Sequence, residues 1–158
     1  MLNQYHHILV AIDGSDESER AFQKAVEVAK RNQSTLLLTH VIDTRAFQSV
    51  TSYDGAMAEQ ATKSAETTLA EYQAYAKKQG IKKVEVSIEY GSPKAIIAKQ
   101  LPEENNIDLI MLGATGLNAV ERLFIGSVSD YVIRHAHCDV LIVRTGLDNQ
   151  PIDEKKEA

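Results

Sequence analysis

The chain has one cysteine, no tryptophan, three prolines and no apolar run close to the length of a membrane span. Each scarcity removes a class of protein. The lone Cys138 permits no internal disulfide, so nothing staples the fold covalently. A bilayer-crossing helix needs about 20 consecutive apolar residues, and their absence argues against membrane insertion. Positive charge is short as well, with 17 Lys and Arg against 22 Asp and Glu and a formal net charge of −5. An acidic chain repels phosphate backbones unless its basic residues gather on one face. The doublets Lys77-Lys78, Lys82-Lys83 and Lys155-Lys156 instead sit beside acids, so nucleic acid is not an expected partner. The opening MLNQYHHILV lacks the charged start and long apolar core of a secretory signal, and the expected location is the cytoplasm.

What is present fits one compact domain. With 44% apolar and 25% charged residues over 158 positions, a chain of this size removes roughly 68–70% of its surface from water on folding. The expected domain covers residues 1–146, and the mixed-charge stretch 147–158 reads as a disordered tail.

Five short β-branched runs alternate with helical patterns. Ile8 to Ile12, Leu36 to Ile42, Val84 to Tyr90, Ile107 to Leu112 and Val140 to Val143 have strand length and character. Asp16 with Glu19 has the spacing of a capping box, and Ala21, Ala25, Val28 and Ala29 follow at helical spacing up to Asn32. Ala58, Ala61, Ala65, Leu69, Tyr72 and Ala76 outline a second helix closed by Gly80. Ser92-Pro93 starts a third that runs to about Leu101, and residues 127–136 form a fourth. The alternation predicts an open, doubly wound parallel α/β sheet of five strands with helices on both faces. The polar alternation of Val84 to Tyr90 puts that strand at an edge, and right-handed crossovers then favour the order 3-2-1-4-5. Strands 1 and 4 flank the switch point of such a sheet. Ligands bind there, outside the carboxyl ends of the strands, so the segments after Ile12 and Leu112 are the site candidates. The polar connection from Asp43 to Gly55 reads either as a lid or as an ordinary surface loop.

The most informative segment is Gly113-Ala114-Thr115-Gly116, followed after nine residues by Gly126-Ser127-Val128-Ser129. Glycines permit close backbone approach, Ser127 can cap the next helix, and free N–H groups at a helix start attract phosphate. The same glycines would also serve a strand-to-helix turn without any ligand. Asp13 likewise reads as a turn cap or as a ligand-contacting acid. Asp13 to Lys24 fails as an EF-hand loop, lacking its sixth-position glycine and twelfth-position glutamate. His135, His137 and Cys138 lack a fourth ligand and read as helix-end residues, and His40 reads as a sheet residue. Nucleophile-elbow, zincin and P-loop patterns are missing from the sequence.

The spacing Gly113-x2-Gly116-x9-Gly126-Ser127, the run GSVSDYVIRHAHCDVLIVR and the N-terminal ILVAIDGSDESERA together resemble the ATP-binding branch of the universal stress protein family. The resemblance spans about residues 5 to 144. It implies a fold of the adenine nucleotide alpha hydrolase-like kind, usually homodimeric, binding ATP without a Walker A loop. It implies that Ala11 and Ile12 lie beside the adenosine, and that Val41 and Leu112 wall the adenine. By the same resemblance Asp13 sits near the ribose and the Mg²⁺ (or Mn²⁺) on the phosphates, and Gly113, Thr115 and Gly116 wrap ribose and phosphate. Gly126, Ser127, Val128 and Ser129 would hold the terminal phosphates. Many relatives carry a basic or histidine residue where this chain has Ala114-Thr115, leaving Arg45 or Arg122 to supply any cationic contact.

The expected function is therefore a nucleotide-responsive stress regulator, with an unnamed downstream partner. The alternatives are a slow ATPase and a nucleotide-independent chaperone-like or scaffolding dimer. Phosphoryl transfer needs a metal and a water-orienting group, and with Asp13 as the one visible candidate any hydrolysis is slow. The apolar edge run from Val140 to Val143 invites pairing with a second copy by antiparallel strand addition.

Overall fold

A computed structural model describes residues 4–47, 54–114 and 125–152. Strands β1 (His7–Ala11), β2 (Thr35–Ile42), β3 (Val84–Tyr90), β4 (Leu109–Gly113) and β5 (Asp139–Val143) form one parallel sheet in the order β3-β2-β1-β4-β5. The predicted order is thus the observed one. β1 is central, pairing Ile8 with both Leu36 and Leu109. Its Ile8, Leu9 and Val10 have no exposed surface, and full burial of such side chains stabilises by about 1.5–3 kcal/mol each.

Alternate β1 side chains feed two cores. Ile8 and Val10 pack with Phe22, Ala25 and Val26 of helix α1 (Asp16–Asn32) and Leu69 of helix α2 (Asp54–Lys78). Leu9 packs on the other face with Ile97, Leu101 and Val132. There the helical segment runs from α3 (Pro93–Ala95) through a π turn, Ile96–Gln100, into α4 (Leu101–Asn105), past the predicted end near Leu101. Pro102 explains the π turn: it has no N–H for the Ala98 carbonyl, and its ring crowds that oxygen. The chain widens instead, and Leu101 N–H donates to the Ile96 carbonyl. Helix α5 (Ser127–His135) completes this face, with Val132 fully buried.

Two predicted caps move by one residue. The N-cap of α1 is Ser15, whose extended backbone precedes the first helical turn and whose hydroxyl accepts from Ser18 N–H at 3.2 Å. Asp16 is already helical. At α5 the N-cap is Gly126, and Ser127 is already the first helical residue. The tail also differs from expectation over 147–152. Thr145 bridges Pro151, and Lys24 Nζ donates to Thr145 Oγ1 at 2.6 Å and Asn149 Oδ1 at 2.8 Å. Residues 153–158 lie outside the described residues, as does the middle of the 43–55 connection, which starts with a 3₁₀ turn, Thr44–Phe47.

Gly113 is where helix and sheet meet most closely. A Cβ added there would stand 2.4 Å from the Glu17 carbonyl oxygen and 2.5 Å from its carbon, distances that only backbone movement can relieve. The glycine predicted to admit a ligand is therefore also required by the packing of α1. Gly113→Ala is expected to cost about 1–3 kcal/mol or more through this overlap. Gly55→Ala, where an added Cβ meets nothing within 4 Å, should be neutral or slightly stabilising in its helix. Urea denaturation of the two variants checks the contrast.

Candidate functional site

The turn after β1 is held by its own polar groups. Asp13 Oδ1 accepts from the Ser15 N–H at 2.9 Å and from the Ser15 hydroxyl. Ser15 Oγ in turn accepts from Ser18 N–H, and Ser18 Oγ donates to the Ser15 carbonyl at 3.0 Å. Gly14, at φ +85°, supplies the left-handed residue that lets the chain double back. Burial of the Asp13 carboxyl opposes its ionisation, but the Ser15 and Ser18 hydrogen bonds and the nearby His40 outweigh that effect and hold its pKa below the usual aspartate value.

This turn forms one wall of a pocket of about 190 Å³ at the carboxyl ends of β1, β2 and β4. Of the residues singled out in the sequence, Ala11, Ile12, Asp13 and Val41 line it from β1 and β2. Leu112, Gly113, Val128 and Ser129 line it from β4 and α5. Ser129 is 3% exposed and directs its hydroxyl to the Gly113 carbonyl at 3.4 Å, tying α5 to β4. Gly126 and Ser127 begin α5 next to these residues without lining the pocket, and Ser127 is exposed. Thr115, Gly116 and Arg122 lie outside the described residues. Arg45 is not in the pocket: its Nε and Nη2 grip both oxygens of Asp43, at 3.0 and 2.7 Å.

The pocket also holds residues that local patterns did not single out as ligands. Ser15, Glu17 and Ser18 come from the start of α1, Pro93 and Ile97 from the helix after β3, and His40 from β2. The Asp-Gly-Ser-x-x-Ser spacing was a visible signal for the first group. Nothing local signals Pro93 and Ile97, since only the crossover brings that helix to the site.

The universal stress protein family model matches residues 4–144. The chain belongs to the universal stress protein family. A Staphylococcus haemolyticus protein bearing the universal stress protein name is 51% identical over 141 residues, which cover 89% of this chain and 86% of that one. Among solved structures, the universal stress protein UspA from Lactobacillus plantarum superposes with a TM-score of 0.80 at 33% identity, covering 90% of this chain and 100% of that one. A universal stress protein in complex with cAMP superposes with a TM-score of 0.69 at 26% identity, covering 89% and 98%. The family thus includes a member with an adenine nucleotide bound.

The low pKa of Asp13 sets the sign of a pH effect. A carboxyl with a lower pKa folded than unfolded contributes stability that is complete above the unfolded value, near 4, and is lost as pH falls through the folded one. Asp13→Asn is therefore expected to be less stable than the parent near pH 7, with the difference shrinking at about pH 3. Urea midpoints at the two pH values measure it, and a pH-independent difference would show that the charge is irrelevant.

Proposed function

We propose that this universal stress protein binds ATP together with Mg²⁺ at the carboxyl ends of β1 and β4 and acts in the cytoplasm as a nucleotide-responsive regulator. The reading rests chiefly on the make-up of the pocket. Val41, Pro93, Ile97 and Leu112 give it apolar walls, the Asp13 turn lies beside them, and the start of α5 lies next to it. Apolar walls suit the faces of a purine. The free N–H groups and positive dipole end of a nine-residue helix suit phosphate. In this reading Ala11 and Ile12 flank the adenosine, Gly113, Thr115 and Gly116 enclose the ribose and phosphates, and Gly126, Ser127, Val128 and Ser129 meet the terminal phosphates. The relative complexed with cAMP supports the choice of an adenine nucleotide.

Charge makes the metal part of the proposal. The described lining carries two acids, Asp13 and Glu17, and no lysine or arginine. A triphosphate entering such a pocket needs a counter-charge. Mg²⁺ is commonly held by one or two carboxylates plus substrate phosphates, and the ionised Asp13 suits that role, as it would for Mn²⁺. No group of three or more metal-binding His, Cys, Asp or Glu side chains occurs among the described residues, so the ion would arrive with the nucleotide. The metal would neutralise phosphate charge, while Asp13 orients it and the α5 N–H groups hold the oxygens. With Asp13 as the one group here proposed to hold the metal, and none proposed to orient an attacking water, hydrolysis is slow and the protein is a binder.

Isothermal titration tests this. ATP affinity is expected to fall at least about tenfold when EDTA removes the metal, a loss of 1.4 kcal/mol, while adenosine affinity stays constant. Ser127→Ala should weaken ATP more than adenosine, and equal losses for both would remove the phosphate role of Ser127. Failure of ATP with Mg²⁺ to bind would overturn the whole reading.

We also propose a homodimer through β5. This strand is an edge of the sheet, with Leu141 40% exposed on it and Ile133 of α5 45% exposed. Antiparallel pairing with a second copy would cover the open backbone edge and these side chains. Leu141→Asp is expected to shift the protein from dimer to monomer in size-exclusion chromatography with light scattering, and a monomeric parent would refute the assembly.

A further inference from the structure

On the opposite side of the Asp13 turn lies a second cleft, of about 280 Å³, between α2 and the carboxyl ends of β1 and β2. Ile12, Ala61, Ala65 and Leu69 give it an apolar floor, and Asp13, His40, Ser64 and Thr68 are its polar side chains. Ile12, Asp13 and His40 line both this cleft and the first pocket.

The hydrogen-bonding state of these groups can be worked out. His40 Nδ1 stands 2.6 Å from the Ile12 carbonyl oxygen. A carbonyl only accepts, so Nδ1 carries a hydrogen, and whenever the ring is neutral Nε2 is left as an acceptor. That nitrogen has no hydrogen-bond partner among the described residues. The hydroxyls of α2 divide in the same sense. Thr62 and Thr67 donate back to the carbonyls of Ala58 and Lys63. Ser64 and Thr68, one helical turn apart on the cleft, make no such bond among the described residues. Asp13 accepts and cannot donate while ionised.

The cleft therefore gathers one carboxylate, one ring nitrogen able to accept and two hydroxyls that can turn their oxygens toward a donor, above an apolar floor. An anion would meet Asp13, and an alkane would leave the polar groups unpaired. An ammonium group has three donors and no acceptor, and it carries the matching charge. We propose that this cleft is a second binding site, for a small primary alkylammonium, with its head among Asp13, His40 and Thr68 and its alkyl chain on Ile12, Ala61 and Leu69. A ligand here engages the carboxylate that also faces the first pocket, so the amine and a metal-bearing nucleotide would oppose each other's binding reciprocally.

The test uses the full chain without nucleotide, so its outcome is independent of whether ATP binds. n-Butylammonium is titrated at constant ionic strength while ¹H–¹⁵N spectra report the amides of α2 and the His40 ring, with n-butanol and butyrate as comparison ligands. Saturable shifts at Ala61, Ala65 and Thr68 are expected with a millimolar Kd, at least about tenfold tighter than for either comparison. His40→Asn keeps a donor for the Ile12 carbonyl and deletes Nε2, and should weaken the amine several-fold. His40→Gln, which carries an amide oxygen near the Nε2 position, should retain more affinity. Thr68→Val, which preserves shape, should weaken it independently. No saturation by butylammonium, equal binding of butanol, or unchanged affinity in both His40→Asn and Thr68→Val would overturn the proposal.

Discussion

The close approach of the first turn of α1 to the end of β4 governs the upper surface of this molecule. The Glu17 carbonyl passes where a Cβ on residue 113 would have to be, and only glycine lets helix and strand meet that way. Because they meet, the turn holding Asp13 and the last residues of β4 become two sides of one crevice instead of separate loops. The parallel pairing of β1 with both β2 and β4 then adds Val41 to the same crevice. The shape of the crevice at the switch point of the sheet rests on a missing methyl group.

The polar turn above this contact is a closed circuit. Asp13, Ser15 and Ser18 satisfy one another and start α1 in the same set of bonds. The cost of desolvating the Asp13 carboxylate is offset locally, chiefly by the N–H and hydroxyl of Ser15, so a negative charge stays at the junction of two clefts. His40 anchors the carbonyl next to it. The same acid lines the clefts on both sides of this turn.

The fold was largely legible in the chain. Five β-branched runs separated by helical spacings predicted a parallel sheet, and the polar alternation of β3 predicted its edge position, as found. Boundaries were less visible. The cap of α1 falls on Ser15 because that residue, not Asp16, keeps an extended backbone. The segment after β3 continues past Leu101 because a π turn absorbs Pro102, a solution that depends on the burial of Ile96, Ile97 and Leu101 against the sheet. The 147–152 stretch, polar enough to read as a free tail, is gripped by Lys24 from a helix more than 120 positions earlier. No window of local sequence contains that partner.

By itself the sequence determined the layer order and the chemical character of the switch-point loops, because periodicity, glycine spacing and composition are local properties, and its motifs carried the resemblance to the family. It named eight of the residues that line the described pocket. Only the tertiary structure decided the rest. Pro93 and Ile97 reach the pocket because the crossover after β3 lays its helix beside β1 and β4, and Ser129 turns toward the Gly113 carbonyl because α5 docks against β4. The structure also revealed that Gly113 is demanded by the backbone of Glu17, whatever ligand it meets. Such contacts join residues far apart in the chain, and their geometry is set by how helices seat on a twisted sheet, which no short run of residues encodes.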